Sequence, residues 1–166
     1  LRRTWQGVIV EVAEGRQAYV VCPRISVDAG AGSEEDDEAG AAVEAVYAQL
    51  TAGPMADLRV EMLHGRLPAE QKDDIMGRYV AGQVDVLIAT TVIEVGVDVP
   101  NASAMVICDA DRFGISQLHQ LRGRIGRGAY PGICLLLTGT PPYSPAAERL
   151  AAVARTRDGF ALARVD

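Results

Sequence analysis

The run Gln117-Leu-His-Gln-Leu-Arg-Gly-Arg-Ile-Gly-Arg-Gly128 sets Gln117, Gln120, Arg124 and Arg127 at spacings of 3, 4 and 3. On a helix that spacing gathers the four on one side. Leu118, Leu121 and Ile125 form the adjacent apolar stripe, suited to packing on a sheet. Two guanidinium groups would then share one rigid edge. Arginine is always charged and offers planar donors that match phosphate oxygens. Gly123, Gly126 and Gly128 weaken such a helix by roughly 1 kcal/mol each. They make most sense where a ligand or another surface comes close. Alone, an Arg-rich helix is as readily a solvated basic face.

A second segment precedes it, Asp85-Val-Leu-Ile-Ala-Thr-Thr-Val-Ile-Glu-Val-Gly-Val-Asp-Val-Pro100. It reads as a strand followed by a polar turn. Thr90 and Thr91 bring hydroxyls to the strand's carboxyl end, where hydroxyls and amides can bind phosphate oxygens. Gly96 lets backbone approach a ligand closely. Asp98 is placed to accept bonds from sugar hydroxyls, and Pro100 stops any helix. By itself such a segment is more often a cap and a turn. The pairing of the two segments favours phosphate chemistry.

The elements that must hold them follow from hydrophobic patterning. Ala18–Cys22, Arg59–Leu63, Val84–Ala89, Ala104–Cys108 and Gly132–Leu137 are apolar on successive residues, which suits strands covered on both faces. Helix-like segments lie between them: Ala41–Leu50, Pro68–Val80, Gln117–Arg127 and Pro145–Ala154. Val8–Val12 is β-branched, yet a helix leading into the first strand fits the alternation better. The alternation predicts an α/β fold, a mostly parallel sheet with helices on both faces. Ligands of such sheets sit beyond the carboxyl ends of the strands. The segments that matter most are therefore His64-Gly65-Arg66, Thr90–Pro100, Asp109–Gly114 and Gly139–Pro142.

The net charge of −6 argues against a nucleic-acid partner until its distribution is considered. Glu34-Glu35-Asp36-Asp37-Glu38 sit together, and setting them aside leaves 17 acids against 16 basic residues. Arg112 to Tyr130 holds four arginines and no acid, a strip able to hold phosphate whatever the total. The acidic stretch Gly30–Gly40 reads as a mobile surface loop inserted after the first strand. Cys22, Cys108 and Cys134 lie in or beside apolar runs with no Cys-x-x-Cys pair, so they read as buried free thiols rather than zinc ligands. No apolar run approaches the ~18 residues of a membrane span, and Leu1–Trp5 lacks the apolar core of a secretory leader. The absence of Gly-x-Gly-x-x-Gly after a strand sets aside a dinucleotide-dependent oxidoreductase.

Ala89-Thr-Thr-Val-Ile-Glu-Val-Gly-Val-Asp-Val-Pro-Asn-Ala102 resembles motif V of superfamily 2 helicases, and Gln117–Gly128 resembles motif VI. Leu63–Met76 is similar to the segment after the motif IV strand. The wording of both motifs is closest to the RecG family of branch-migration DNA helicases, and Asp158–Asp166 resembles the entry to that family's post-motor hairpin. The resemblance covers almost the whole chain. It implies a RecA-like three-layer sandwich over residues 1–155, the second motor domain, with an insertion at 30–40, and the start of a post-motor segment at 156–166. The transcription-repair coupling factors, where the motif V pattern is Ile-Glu-Ser-Gly-Leu-Asp, and superfamily 2 RNA helicases are the competing families. A non-catalytic nucleotide-binding module is a third reading, disfavoured by the intact Gln120, Arg124 and Arg127.

The resemblance implies roles residue by residue. Arg124 and Arg127 would act as fingers on the γ-phosphate of ATP, with Gln120 beside them. Gly96 and Asp98 would approach the nucleotide. Thr90 and Thr91 would contact backbone phosphates of DNA, as would His64, Gly65 and Arg66. Gly-x-x-x-x-Gly-Lys-Thr/Ser and Asp-Glu-x-His are absent from the chain. The β-phosphate cradle and the Mg²⁺ ligands are expected in a first RecA-like domain of a longer protein, which would also carry a wedge domain. Forks and Holliday junctions are the implied DNA, a membrane is not implied, and the location is cytoplasmic and nucleoid-associated. The chain alone is expected neither to hydrolyse ATP nor to unwind DNA.

Overall fold

A computed structural model describes residues 2–23, 34–63, 67–90, 102–122, 133–139, 143–156 and 160–164. Its strands are β1 (Gln17–Cys22), β2 (Val60–Leu63), β3 (Val86–Thr90), β4 (Ala102–Ile107), β5 (Ile133–Thr138) and β6 (Phe160–Arg164). They form one sheet in the order β2-β3-β1-β4-β5-β6, and every neighbouring pair is parallel. In the central strand Val20 lies opposite Ile88 on one side and Val106 on the other. Every residue of β1, β3 and β4 is buried, as the unbroken apolar runs predict.

The helices are α1 (Arg2–Ala13), α2 (Glu34–Thr51), α3 (Ala69–Val80), α4 (Ile115–Arg122) and α5 (Pro145–Thr156). Residues alternate between two core layers. Tyr19, Val21, Leu87, Ala89, Met105 and Ile107 pack with Ile75 and Tyr79 of α3, Leu118 and Leu121 of α4, and Leu150 and Val153 of α5. On the other face Ala18, Val20, Val86, Ile88, Ala104 and Val106 pack with Trp5 and Val8 of α1 and Val43 and Leu50 of α2. The result is three layers. Right-handed crossovers explain the sorting. The connection from β1 out to β2 moves one way and carries α2 on one face. The steps β2 to β3, β4 to β5 and β5 to β6 move the other way and carry α3, α4 and α5 on the opposite face.

One expectation changes. The helix expected at Ala41–Leu50 begins at Glu34, so the acidic run expected in a mobile loop at 30–40 instead starts α2. Carboxylates in a first turn are favoured by the partial positive charge of the helix N-terminus, and the Ala-rich stretch that follows propagates the helix. Val8–Val12 falls within α1, as the alternation favours.

A buried side chain ties the amino end of β1 to the end of α3. Gln17, 3% exposed, donates through Nε2 to the carbonyls of Tyr79 (2.6 Å) and Val84 (2.8 Å). Tyr79 Oη donates back to the Ala18 carbonyl at 2.7 Å, and its ring packs on Tyr19 with centroids 4.9 Å apart. Gly82, at φ 81°, turns the chain just after α3. Nearby, Arg59 holds Asp85 through two guanidinium nitrogens, at 2.8 and 3.3 Å. The Gln17→Leu variant removes one of two donors from the Tyr79 carbonyl, which keeps the Gly82 amide at 3.1 Å, and the Gln17 donor from the Val84 carbonyl, worth about 1–3 kcal/mol if orphaned. Urea denaturation is expected to show about 1–3 kcal/mol less stability at unchanged slope. A loss under about 0.5 kcal/mol would mean that water replaces the amide.

Candidate ATP-finger and nucleic-acid site

Because all strands run one way, all their carboxyl ends lie along one edge of the sheet. Thr90, Cys22 and Ile107 end β3, β1 and β4 there, with Cys22 in register with Thr90. Cys108 follows, its amide donating to the Val21 carbonyl at 2.8 Å. Thr90 is at the strand end expected for it, but only 5% exposed. By strand alternation its side chain lies on the face of Val86 and Ile88, toward α1 and α2. An open hydroxyl for phosphate is therefore not presented by Thr90 in this chain. Thr91, Gly96 and Asp98 lie outside the described residues, as do His64, Gly65 and Arg66.

The turn from β4 to α4 is strongly shaped. Asp109 adopts φ 49° and ψ 50°, the left-handed region that Asp tolerates better than most residues, and a 3-10 turn spans Ala110–Arg112. Ala110 and Phe113 are buried in the core. Thr138 Oγ1, at the end of β5, donates to Asp111 Oδ1 at 2.9 Å. Arg149 of α5 donates through one nitrogen to the carbonyls of Asp111 (2.8 Å) and Phe113 (3.4 Å). The helix then opens at Gly114, whose amide donates to Gln117 Oε1 at 2.9 Å. This is half of a capping box, the third residue of the helix reaching back to its first free amide.

On α4 the expected division of faces is present. Leu118 and Leu121 are buried against the sheet, and Gln117 and Gln120 are exposed. Gln120 thus projects from the face of α3 and α5, while Thr90 lies on the other side of the sheet. These two candidate residues are not brought together. The helix expected over Gln117–Arg127 is described from Ile115 to Arg122, and Arg124 and Arg127 lie outside the described residues. The contributions of Asp109, Asp111, Thr138 and Arg149 escape sequence reading. Only the place of Asp109–Gly114 after a strand points to them.

The thiols carry no catalytic signature. Cys22 and Cys134 are buried, and Cys108 is half-buried. A hydrogen bond with the Cys22 thiol, together with burial, holds the Cys108 thiol well above its usual range. Burial pushes the Cys134 thiol up to about 12, against the opposing pull of the Arg122 guanidinium. Among the described residues no group of three or more His, Cys, Asp or Glu side chains is placed to hold a metal.

The fold and the motif-bearing segments define a helicase motor domain, and the chain belongs to the helicase conserved C-terminal domain family, which matches residues 3–129. Within that family its likeness is to RecG. It is 55% identical to the ATP-dependent DNA helicase RecG of Mycobacterium tuberculosis (strain ATCC 25618 / H37Rv) across all of its length and 22% of that protein. It is 43% identical to the RecG of Bacillus subtilis (strain 168) over 94% of this chain and 22% of that one. A RecG structure bound to a three-way DNA junction superposes with a TM-score of 0.72 at 37% identity, covering 95% of this chain and 19% of that one. Dbp5 of S. cerevisiae, bound to RNA and ADP BeF3, matches at a TM-score of 0.61 and 18% identity over 97% of this chain and 38% of that one, a likeness of fold alone. The chain spans about a fifth of the length of the RecG relatives. The expected RecA-like architecture is borne out.

With a pKa of about 12, roughly one Cys134 in 10⁴ is a thiolate at pH 8. Iodoacetamide at pH 8 is expected to leave Cys134 unlabelled in the folded protein and to label it fully in urea. Fast labelling under native conditions would show that β5 opens readily beneath α4.

Proposed function

We propose that this chain is the second of two RecA-like motor domains in an ATP-dependent DNA helicase that remodels stalled forks and Holliday junctions during repair and recombination. The observation that carries this reading is 55% identity to RecG running through the whole chain. The RecG superposition adds a relative bound to branched DNA. Transcription-repair coupling and RNA unwinding have weaker support, since the RNA-bound neighbour shares only 18% of residues.

In this reading ATP lies in a cleft between this domain and a first motor domain, which supplies the β-phosphate cradle and the Mg²⁺ ligands. Arg124 and Arg127 reach the γ-phosphate, with Gln120 alongside. Guanidinium groups fixed where charge develops in phosphoryl transfer stabilise the transition state. Such a finger is worth roughly 10³–10⁵ in rate, or about 4–7 kcal/mol of barrier. Gly96 and Asp98 approach the nucleotide, Asp98 at the ribose. The nucleic-acid side comprises Thr91, His64, Gly65 and Arg66, with Thr90 buried at the strand end before Thr91 in the chain.

ATP contacts both domains and so favours closure. Hydrolysis removes the γ-phosphate contacts, the cleft opens, and the contacts to DNA phosphates shift along the duplex. A cytoplasmic, nucleoid-associated protein fits this role.

In the full-length protein on forked DNA, Arg127→Ala is expected to lower ATP turnover by roughly 10³-fold or more while ATP binding persists. Near-normal turnover would make Arg127 an ordinary surface cation and reopen the helicase assignment.

A further inference from the structure

We propose that Cys22 and Cys108 are a modification site, a thiol pair that closes to a reversible disulfide under hydrogen peroxide and so joins the end of β1 to the end of β4. β1 and β4 are parallel neighbours, with Val20 opposite Val106 and Val21 opposite Ile107. Cys22 and Cys108 come next in the two chains, and the Cys108 amide donates to the Val21 carbonyl at 2.8 Å, so the pairing runs on to them. Strand alternation puts both side chains on the face of Val20 and Val106, and both pack into the same apolar layer. There the two thiols share a hydrogen bond. Neighbouring strands lie about 4.8 Å apart, within the Cα separation of about 4.4–6.8 Å that a disulfide spans. The backbone is thus already spaced for the bond, although the two residues are more than eighty positions apart in the chain.

The third cysteine is an internal control, since Cys134 is buried in the opposite layer of the sheet. Cys108 is the half-buried member of the three, so a small oxidant meets it first, and Cys22 is placed behind it to resolve the product. In the first step the Cys108 thiolate attacks one peroxide oxygen. An S–O bond forms, the O–O bond breaks, and the hydroxide released takes the thiol's proton as water, leaving a sulfenic acid. The Cys22 sulfur then attacks the sulfenic sulfur. The S–S bond forms, the S–O bond breaks, and the departing hydroxide leaves as water with the Cys22 proton. Each sulfur has given up one electron, and the peroxide has taken two. The hydrogen bond to Cys22 and burial keep the Cys108 proton in place at neutral pH, so the first step is slow. The pair therefore answers sustained peroxide rather than a brief pulse. The modification stands apart from the motor reading and needs no nucleotide or DNA.

The test exposes the full-length protein to hydrogen peroxide, blocks the remaining thiols by alkylation under denaturing conditions, and maps the peptides by mass spectrometry. Wild type is expected to yield a linked Cys22–Cys108 peptide that disappears with dithiothreitol, while Cys134 is recovered as a free thiol. In denaturing urea the same link should form at least about tenfold more slowly, because closure of a long loop replaces a held contact. Cys22→Ala is expected to leave Cys108 as a sulfenic acid that dimedone traps, and Cys108→Ala to leave Cys22 reduced. Wild-type protein with both thiols still free after hours of peroxide would overturn the proposal. So would a link found only between two molecules, or one formed as fast in urea as in native buffer. Cys108 recovered solely as sulfinic or sulfonic acid would also overturn it, since Cys22 would then be out of reach.

Discussion

The whole arrangement depends on one constraint, that six neighbouring strands run in the same direction. A parallel sheet cannot turn back on itself in two residues. Each strand must return across a face, and handedness decides which one. That requirement distributes α2 to one side and α3, α4 and α5 to the other. It also gathers every strand's carboxyl end on a single edge, so that segments far apart in the chain begin side by side. The polar segments after β2, β3 and β4 share an origin for this reason.

From that edge the chain builds two kinds of surface. Thr90 belongs to the layer beneath α1 and α2, while α4 carries Gln117 and Gln120 over the opposite layer. Rigid packing of Leu118 and Leu121 on the sheet fixes the roll of α4 about its axis, and the clasped turn fixes its direction.

Much of this was legible in the sequence. Strands buried on both faces read as unbroken runs such as Ala-Tyr-Val-Val-Cys and Val-Leu-Ile-Ala, and all five appeared within two residues of their expected bounds. The split of α4 into a leucine face and a glutamine face followed from spacing alone. What was not legible depended on distance or context. Glu34–Glu38 looked like a solvated loop because composition reports charge but not the helix end beside it. Thr90 looked available for phosphate because a sequence shows that a hydroxyl is near a strand end, not which way it faces. The bonds of Arg149 and Thr138 to the β4–α4 turn cross 38 and 27 residues, and no local pattern announces them.

The strand order also bears on how such a chain comes off the ribosome. Residues of β1 find their hydrogen-bonding partners only at Val86–Thr90 and Ala102–Ile107, one of them more than eighty residues later. A fully buried strand is thus synthesised early, well before either of its neighbours exists. Until then α1 and α2 can shelter Val20 on one face, while Tyr19 and Val21 await α3 and the helices after it on the other. Loop closure over such separations is slow, and unpaired apolar strands invite wrong partners. The buried amide of Gln17, reaching carbonyls 62 and 67 residues away, can form only once that closure is complete. On the nascent chain, the segment that becomes a fully buried strand therefore stays without its sheet neighbours until more than eighty further residues have followed.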